Sequence, residues 1–208
     1  AAAAAVRDGA GIAWSSRLTI TATLASDHAA SALSNLDDEA PARIGIGASI
    51  AFVDLDDDTV ATLGGGATVG PLASLTMAAT GSHTATATTE AGGAGDVAVT
   101  PTLALTLSTA DSRIDMPTGA ALTVAGAVTL TATHDIGADA QADGSADGSR
   151  AAVGAAIAVN LVHDTAEVAP GRAITATGDV SHAADLVVDA LTAVAAAASG
   201  LAAAAGGA

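Results

Sequence analysis

The stretch VGAAIAVNLVHDTAEV, residues 153–168, has an earlier counterpart in IGASIAFVDLDDDTVA, residues 46–61. Both copies pass from small residues through β-branched ones to an acidic segment. A third copy lies between them, because IAF at 50–52 aligns with LAL at 103–105 and then with IAV at 157–159, at shifts of 53 and 54 residues. Self-similarity at a fixed period is the sequence signature of a repeat architecture.

The alignment of the copies extends through most of the chain. Further matched positions are Gly66, Gly119 and Gly171; Val69, Leu122 and Ile174; and Leu75, Val128 and Val180. The third copy loses two residues between Val168 and Gly171, and stacked repeats tolerate such length changes in turns. Because LTITAT at 18–23 matches VTLTAT at 128–133, residues 1–45 are interpreted as the tail of a preceding repeat. We therefore predict a single repeat array over 1–208, with repeats at 46–98, 99–152 and 153–208, the last ending at the start of the next copy.

Each copy contains short segments with the alternation of β-strands. In VAVTPTLALTLS, residues 97–108, Val or Leu occupies every odd position except Pro101, and most even positions carry Thr or Ser. This period of two is typical of a half-buried strand, whose apolar side chains are expected to face the core. LTITAT and VTLTAT alternate likewise, which predicts that Leu18, Ile20, Val128 and Leu130 face inward. The glycine-rich runs at 64–66, 92–95 and 143–149 are interpreted as turns.

The composition indicates an object with a thin cross-section. Half of the residues are apolar, but the aromatic residues are one Trp and one Phe, and most of the rest are Ala and Val. Side chains this small close-pack only where backbone layers lie near each other. We predict an all-β fold, a β-solenoid (parallel β-helix-like) built from about 53-residue repeats whose coils stack at about 4.8 Å. Because such a repeat is long for one coil, each repeat is expected to contain two or more coils. A β-sandwich is the main alternative.

The charge balance argues against several classes of partner. The chain carries 19 Asp and 3 Glu against 6 Arg and no Lys, for a net charge of −16. This excess of acid opposes binding to nucleic acid phosphates. The absence of Cys excludes disulfides and thiolate metal sites. Residues 190–208 are uncharged, but Ala and Gly are too weakly apolar to insert well into a bilayer, so no membrane span is expected in this segment.

Two longer segments carry a resemblance to a known group of proteins. GASIAFVDLDDDTVATLGGGATV, residues 47–69, and GAAIAVNLVHDTAEVAPGRAITATGDV, residues 154–180, resemble repeats of large bacterial filamentous adhesins, including the leukotoxin-type filamentous adhesin group. The resemblance covers essentially the whole chain, and the middle copy departs from it where VTPTLALTL replaces the Gly-Ala opening. It implies a secreted or surface-anchored rod of β-solenoid repeats, and it carries over no catalytic residues.

Two acidic clusters are candidate calcium sites. Asp54, Asp56 and Asp58, in DLDDDT, have the spacing of oxygen-rich calcium loops, although the Gly and the Glu of an EF-hand are missing. Asp139, Asp143 and Asp147 recur every four residues within ADAQADGSADGSR. The alternative is that the first cluster is a solvated turn and the second a flexible polar loop. No other cofactor is expected. The five histidines, at 28, 83, 134, 163 and 182, lack the HxxxH or HxH spacing of a metal site and are expected at the surface.

The sequence predicts a structural function, and not an enzyme. The expected role is that of a structural or adhesive segment of a long extracellular or cell-surface filament, acting as a rigid rod or stalk. The expected partners are other copies, through stacked repeats or fibre assembly, and a host or neighbouring-cell surface. The alternatives are a calcium-stabilised binding module, an ice-binding solenoid and a β-helix polysaccharide enzyme. Ice binding would use the threonine row Thr19, Thr76, Thr129 and Ser181, but the next row is interrupted by alanines, and aromatic platforms for sugars are lacking.

Overall fold

The computed structural model describes residues 1–13, 17–34 and 43–207. Within these ranges the chain contains thirteen β-strands and no helix, which confirms the prediction of an all-β fold. The strands are β1 (Ala2–Val6), β2 (Gly11–Ile12), β3 (Leu18–Ser34), β4 (Ile44–Ile46), β5 (Ser49–Leu63), β6 (Thr68–Val69), β7 (Leu75–Met116), β8 (Leu122–Val124), β9 (Val128–Val162), β10 (Thr165–Pro170), β11 (Ile174–Ala176), β12 (Val180–Ser199) and β13 (Ala202–Gly207). Parts of the predicted tail at 1–45, residues 14–16 and 35–42, lie outside the described residues.

The strands pair in parallel with strands of the next copy. Each pairing joins residues between 51 and 57 positions apart. The main sheet follows the order β1-β5-β7-β9-β12, and β3, β4, β10 and β13 pair with β7 or β9. Residues that the sequence alignment matched are therefore neighbours in the ladder: Ile50 pairs with Leu103, and Leu103 pairs with Ile157.

One turn of the chain uses the whole spacing between copies. Strand β7 pairs with β9 from Leu75 to Ser108, with one register shift between Gly95 and Val97, so neighbouring layers are 53 or 54 residues apart. The expectation of two or more coils in each repeat is therefore wrong. The reason is that the glycine-rich runs at 92–95 and 143–149 pair within the ladder and do not end the strands. The run at 64–66 does lie in a turn.

Each layer consists of two walls that pack face to face. We name β3, residues 75–91 of β7, residues 128–144 of β9, and β12 the outbound wall. The return wall comprises β4, β5, residues 97–116 of β7, residues 151–162 of β9, and β10. Leu75, Met77 and Leu130 of the outbound wall share one buried cluster with Ile114 and Met116 of the return wall.

The space between the walls narrows toward the bend that joins them near residues 92–97. The wide end is filled by Leu, Ile and Met, whereas the core nearer the bend consists mostly of alanine. Next to the bend the backbones approach each other directly, since a Cβ added to Gly45 would lie 2.1 Å from the carbonyl oxygen of Ala94. This taper shows how a core made largely of Ala and Gly can be close-packed.

The return wall faces the opposite way from the prediction. Thr102, Ala104 and Thr106 are buried, whereas Leu103 and Leu105 point outward and are partly exposed. The prediction that the Val and Leu of residues 97–108 face the core is therefore wrong. The physical reason is the taper, because the narrow part of the interior admits only small side chains. On the outbound wall the predicted orientation is correct, with Ile20, Val128 and Leu130 buried and Leu18 half-buried.

Candidate functional site

The predicted calcium residues Asp54, Asp56 and Asp58 lie on a strand and not in a turn. They occupy alternate, exposed positions of β5 on the outer side of the return wall. Alternate residues of a strand are about 6.6 Å apart, whereas Ca²⁺ holds its oxygen ligands at about 2.3–2.6 Å. The backbone therefore spreads these carboxylates along the wall and does not converge them on one point.

The residues Asp139, Asp143 and Asp147 also belong to a strand, β9, and not to a flexible loop. Their spacing of four residues separates neighbours by about 13 Å along the strand. Gln141 Nε2 donates to Asp139 Oδ2 at 2.9 Å, and Ser199 Oγ donates to Asp147 Oδ1 at 2.6 Å. Among the residues that the structure describes, no three His, Cys, Asp or Glu side chains are grouped so as to hold a metal ion. Calcium binding at these six positions stays a prediction.

The structure instead brings four titratable residues together between the walls. His83 and His134 come from the outbound wall of successive layers, and Asp57 and Asp164 face them from the return wall. Both histidine side chains are fully buried, so the expectation of surface histidines is wrong for these two. We name this group, with its serine partners Ser26, Ser108 and Ser112, the buried polar network.

At one end of the network, Asp164 is surrounded by donors. Ser108 Oγ lies 2.9 and 3.0 Å from its two carboxylate oxygens, and the amide of Ala110 donates to Oδ1 at 3.0 Å. His134 Nε2 lies 3.1 Å from Asp164 Oδ2, and His134 Nδ1 lies 3.0 Å from Ser112 Oγ. These contacts fit a neutral ring whose Nε2–H donates to Asp164 while Nδ1 accepts from the Ser112 hydroxyl.

At the other end, Ser26 joins Asp57 to His83. Ser26 Oγ donates to Asp57 Oδ2 at 2.7 Å and lies 2.8 Å from His83 Nδ1. Because the hydroxyl proton is already directed to Asp57, His83 Nδ1–H must be the donor to Ser26 Oγ. His83 Nε2 is then an acceptor, and it is buried without a hydrogen-bond partner. The ring of His83 contacts that of His134, with centroids 5.0 Å apart.

The surroundings determine the charges in the network. Burial alone would raise the pKa of the Asp164 carboxyl, but hydrogen bonds from His134, Ser108 and the Ala110 amide hold it below its usual value. Burial lowers the pKa of His83, and the adjacent His134 lowers it further, against the raising effect of Asp57. At neutral pH the network therefore contains a charged Asp164 and a neutral His83.

Ser112, His134 and Asp164 have the residue types of a nucleophilic triad. Ser112 and His134 are fully buried between the walls, so a substrate cannot reach the Ser112 hydroxyl in this fold. What the arrangement can do is select a register. A charge buried without its partner is strongly destabilising, and only the observed stacking places each aspartate beside a histidine.

Sequence spacing could not reveal the network. His83 and His134 occupy neighbouring columns and not the same one, since His83 pairs with Ile136 and His134 pairs with Gly81. The available signal is Gly81 itself. A Cβ at this position would lie 2.6 Å from Ser112 Oγ and 2.8 Å from His83 Nε2, so the two rings fit only beside a glycine.

A second buried charge ties three layers together at the wide end. Arg172 is only 6% exposed. Its Nη2 lies 3.1 Å from the carbonyl oxygen of Leu63 and 2.6 Å from that of Gly64, and its Nε lies 3.4 Å from that of Pro117. These carbonyl groups belong to the two preceding layers. The sequence analysis did not single out this residue.

The two walls present different outer faces. On the outbound wall, Thr19, Thr76, Thr129 and Ser181 are neighbours across four layers, as the alignment placed them. The outer side of the return wall is apolar. We name its thirteen large outward side chains the apolar face: Ile44, Ile46, Ile50, Phe52, Val97, Val99, Leu103, Leu105, Leu107, Val153, Ile157, Val159 and Leu161.

Comparisons with other proteins leave the function to be argued from this geometry. No protein-family model, no curated protein and no solved structure matches the chain. Within the described ranges, no helix has the length and apolar character needed to cross a membrane.

Proposed function

We propose that the chain is a segment of a β-solenoid with about 53 residues in each coil, and that it serves as a rigid structural rod in a long extracellular bacterial filament. The observation that carries the proposal is the ladder. Leu18, Leu75, Val128 and Val180 form one unbroken column through four layers. A further copy can extend such a column without any change in the cross-section.

The edges of the stack provide the means of growth. Among the described strands, β3 pairs on one side only, with β7, and β12 pairs on one side only, with β9. An open strand edge is a template for another strand. A further coil, whether in the same chain or in another copy, would continue the ladder, and repetition of this contact would lengthen the filament.

Two features support stiffness. Side chains such as Arg172 bond to carbonyl groups of two earlier layers, in addition to the parallel ladder. The 17 residues of β3 span about 56 Å, so each coil is far wider than its rise of about 4.8 Å. A broad cross-section resists bending, although it uses about 53 residues for each step along the axis.

The sequence supports the location and the adhesive part of the proposal. The segments at 47–69 and 154–180 resemble repeats of bacterial filamentous adhesins, which are secreted or surface-anchored. The net charge of −16 favours a well-solvated surface. In this proposal the rod holds a binding region of the filament at a distance from the cell, where it contacts a host or neighbouring cell.

The proposal is tested by lengthening the protein in whole coils. Proteins that contain residues 75–127 once, four times and eight times are compared by small-angle X-ray scattering and electron microscopy. We expect the axial dimension to increase by about 4.8 Å for each added copy while the cross-section stays constant. A control that repeats only residues 75–101 adds half a coil and should not extend the rod. Dimensions that grow equally in all directions would contradict the proposal.

A further inference from the structure

The apolar face is the largest feature that a rod alone does not explain. Its side chains form columns across the layers, such as Ile50, Leu103 and Ile157. Ile50 is 70% exposed and Phe52 is 52% exposed. No charged residue occupies an outward position at 44–53, 97–107 or 151–161, although the chain carries a net charge of −16. Soluble proteins rarely expose a contiguous apolar patch of this kind unless it binds something.

We propose that the apolar face binds the same face of a second copy, so that two rods pair side by side. This proposal rests on the proposed stacked rod, because continuous columns require stacked coils. The rows of both copies repeat at about 4.8 Å along the axis, so ridges and grooves of the two faces stay in phase over any number of coils. A partner without this spacing would match only a few rows.

The charges that border the face favour one orientation of the pair. Arg43 and Arg150 are exposed at the end nearest the bend, and Asp54 and Asp56 are exposed at the opposite end. A two-fold axis parallel to the stacking direction lays the arginine border of each copy over the aspartate border of the other. In this orientation the two rods are parallel, and each favourable contact occurs twice.

The area of the face makes pairing depend on the number of coils. A stretch of ten outward and inward residues spans about 33 Å, so each coil contributes about 160 Å² on each partner. Three coils therefore offer about 480 Å², whereas a standard stable interface needs about 800 Å² on each side. About five coils reach this area. We expect the 208-residue chain to pair weakly and a longer array to pair stably.

Sedimentation of the lengthened proteins tests the pairing. The protein with residues 75–127 present four times should sediment as a dimer at concentrations where the unmodified chain is monomeric. Replacing Leu103, Leu105 and Leu107 by Thr in every copy keeps the β-propensity and should raise the dimer dissociation constant by about tenfold or more. The matched control replaces Thr76, Thr86 and Thr88 of the outbound wall by Ser and should leave the dissociation constant unchanged.

A charge reversal tests the orientation. Arg43→Asp should weaken the dimer, and adding Asp56→Arg to the same chain should restore it. The absence of restoration would overturn the parallel two-fold arrangement.

Other outcomes separate this proposal from the rod itself. A long protein that scatters as a rod but stays monomeric, or that binds only phosphatidylcholine vesicles, overturns the pairing and leaves the rod in place. A long protein that scatters as a globule overturns both. The outward orientation has its own control: if the Leu→Thr variant unfolds while Ala104→Leu stays folded, the face is interior and the pairing is overturned.

Discussion

Gly81 shows how little room surrounds the buried polar network. An added Cβ would lie 2.6 Å from Ser112 Oγ, 2.8 Å from His83 Nε2 and 3.0 Å from His134 Nδ1. The Gly81→Ala variant must therefore displace at least one ring from its partners. We expect it to lower the free energy of unfolding by about 1–3 kcal/mol, which denaturant unfolding followed by circular dichroism would measure.

Gly137 provides the matched control for this substitution. It lies on the outbound wall, but its added Cβ would meet only Thr84 Cγ2, at the ordinary distance of 3.7 Å. Gly137→Ala should leave the free energy of unfolding unchanged or raise it by up to about 1 kcal/mol, since Ala restricts the unfolded chain more than Gly does. Equal losses in both variants would show that the network does not constrain Gly81.

His83 should make the stability of the fold sensitive to acid. Its pKa is lowered from 6.5 in the folded chain, so below about pH 6.5 the unfolded chain binds a proton that the folded chain does not. Stability is then complete above about pH 6.5 and declines as the pH falls toward the folded pKa. Asp164 acts with the same sign at lower pH, because its pKa lies below 3.8 and its contribution is lost as the pH falls through the folded value.

The melting temperature at about pH 7.5 and about pH 5.0 measures this effect. The unmodified chain should melt lower at the acidic pH, and His83→Gln should show a smaller difference between the two. His163→Gln is the control, because His163 is exposed, and it should retain the full difference. If the three proteins respond alike to pH, the acid sensitivity arises elsewhere.

At the scale of single strands, the sequence predicts pairing better than facing. Leu75, Val128 and Val180 were matched by alignment and do lie beside each other, because a ladder in register needs only equal spacing. The spacing also falls from 54 at Pro170 to 52 at Ile174, close to the turn where the alignment loses two residues. Repeated spacing is a property of the sequence itself, so it can be read from the sequence alone.

Which side of a strand faces the core depends on the opposite wall, and this information is not local. The alternation at 97–108 resembles that at 128–133, yet the larger side chains point outward in the first and inward in the second. The difference follows from the width of the interior at each place. For the same reason the buried polar network was missed, since it joins residues from three layers and both walls.

Arg172 should contribute to the stability of the turns at the wide end. In Arg172→Met the apolar stem is kept, but the carbonyl groups of Leu63 and Gly64 lose a charged donor. Because hydrogen bonds to charged groups are among the stronger ones, we expect a loss of about 2–3 kcal/mol in the free energy of unfolding. Arg150→Met, at an exposed position of the bend, should change it by less than about 0.5 kcal/mol. A comparable effect of the two substitutions would show that Arg172 does not tie the layers together.

For the whole molecule, the decisive property is that contacts form between adjacent coils. The most extensive pairing is that of β7 with β9, which joins one layer to the next over 33 pairs of residues. Stability in such a stack is approximately a sum over coils and their interfaces. The molecule should therefore tolerate the removal of an entire coil and not the removal of a part of one.

Two deletions separate these cases. Removing residues 75–127 joins Ser74 to Val128, and because Val128 pairs with Leu75, the column that begins at Leu18 stays in register. This shortened protein should fold to the same strand content and melt at a lower temperature, since one interface is lost. Removing only residues 75–101 deletes fewer residues but leaves one layer without its outbound wall, so its return wall has no partner across the core. We expect the smaller deletion to abolish the cooperative melting transition measured by circular dichroism. If the protein that lacks half a coil melts as cooperatively as the one that lacks a whole coil, adjacent layers do not hold each other in place.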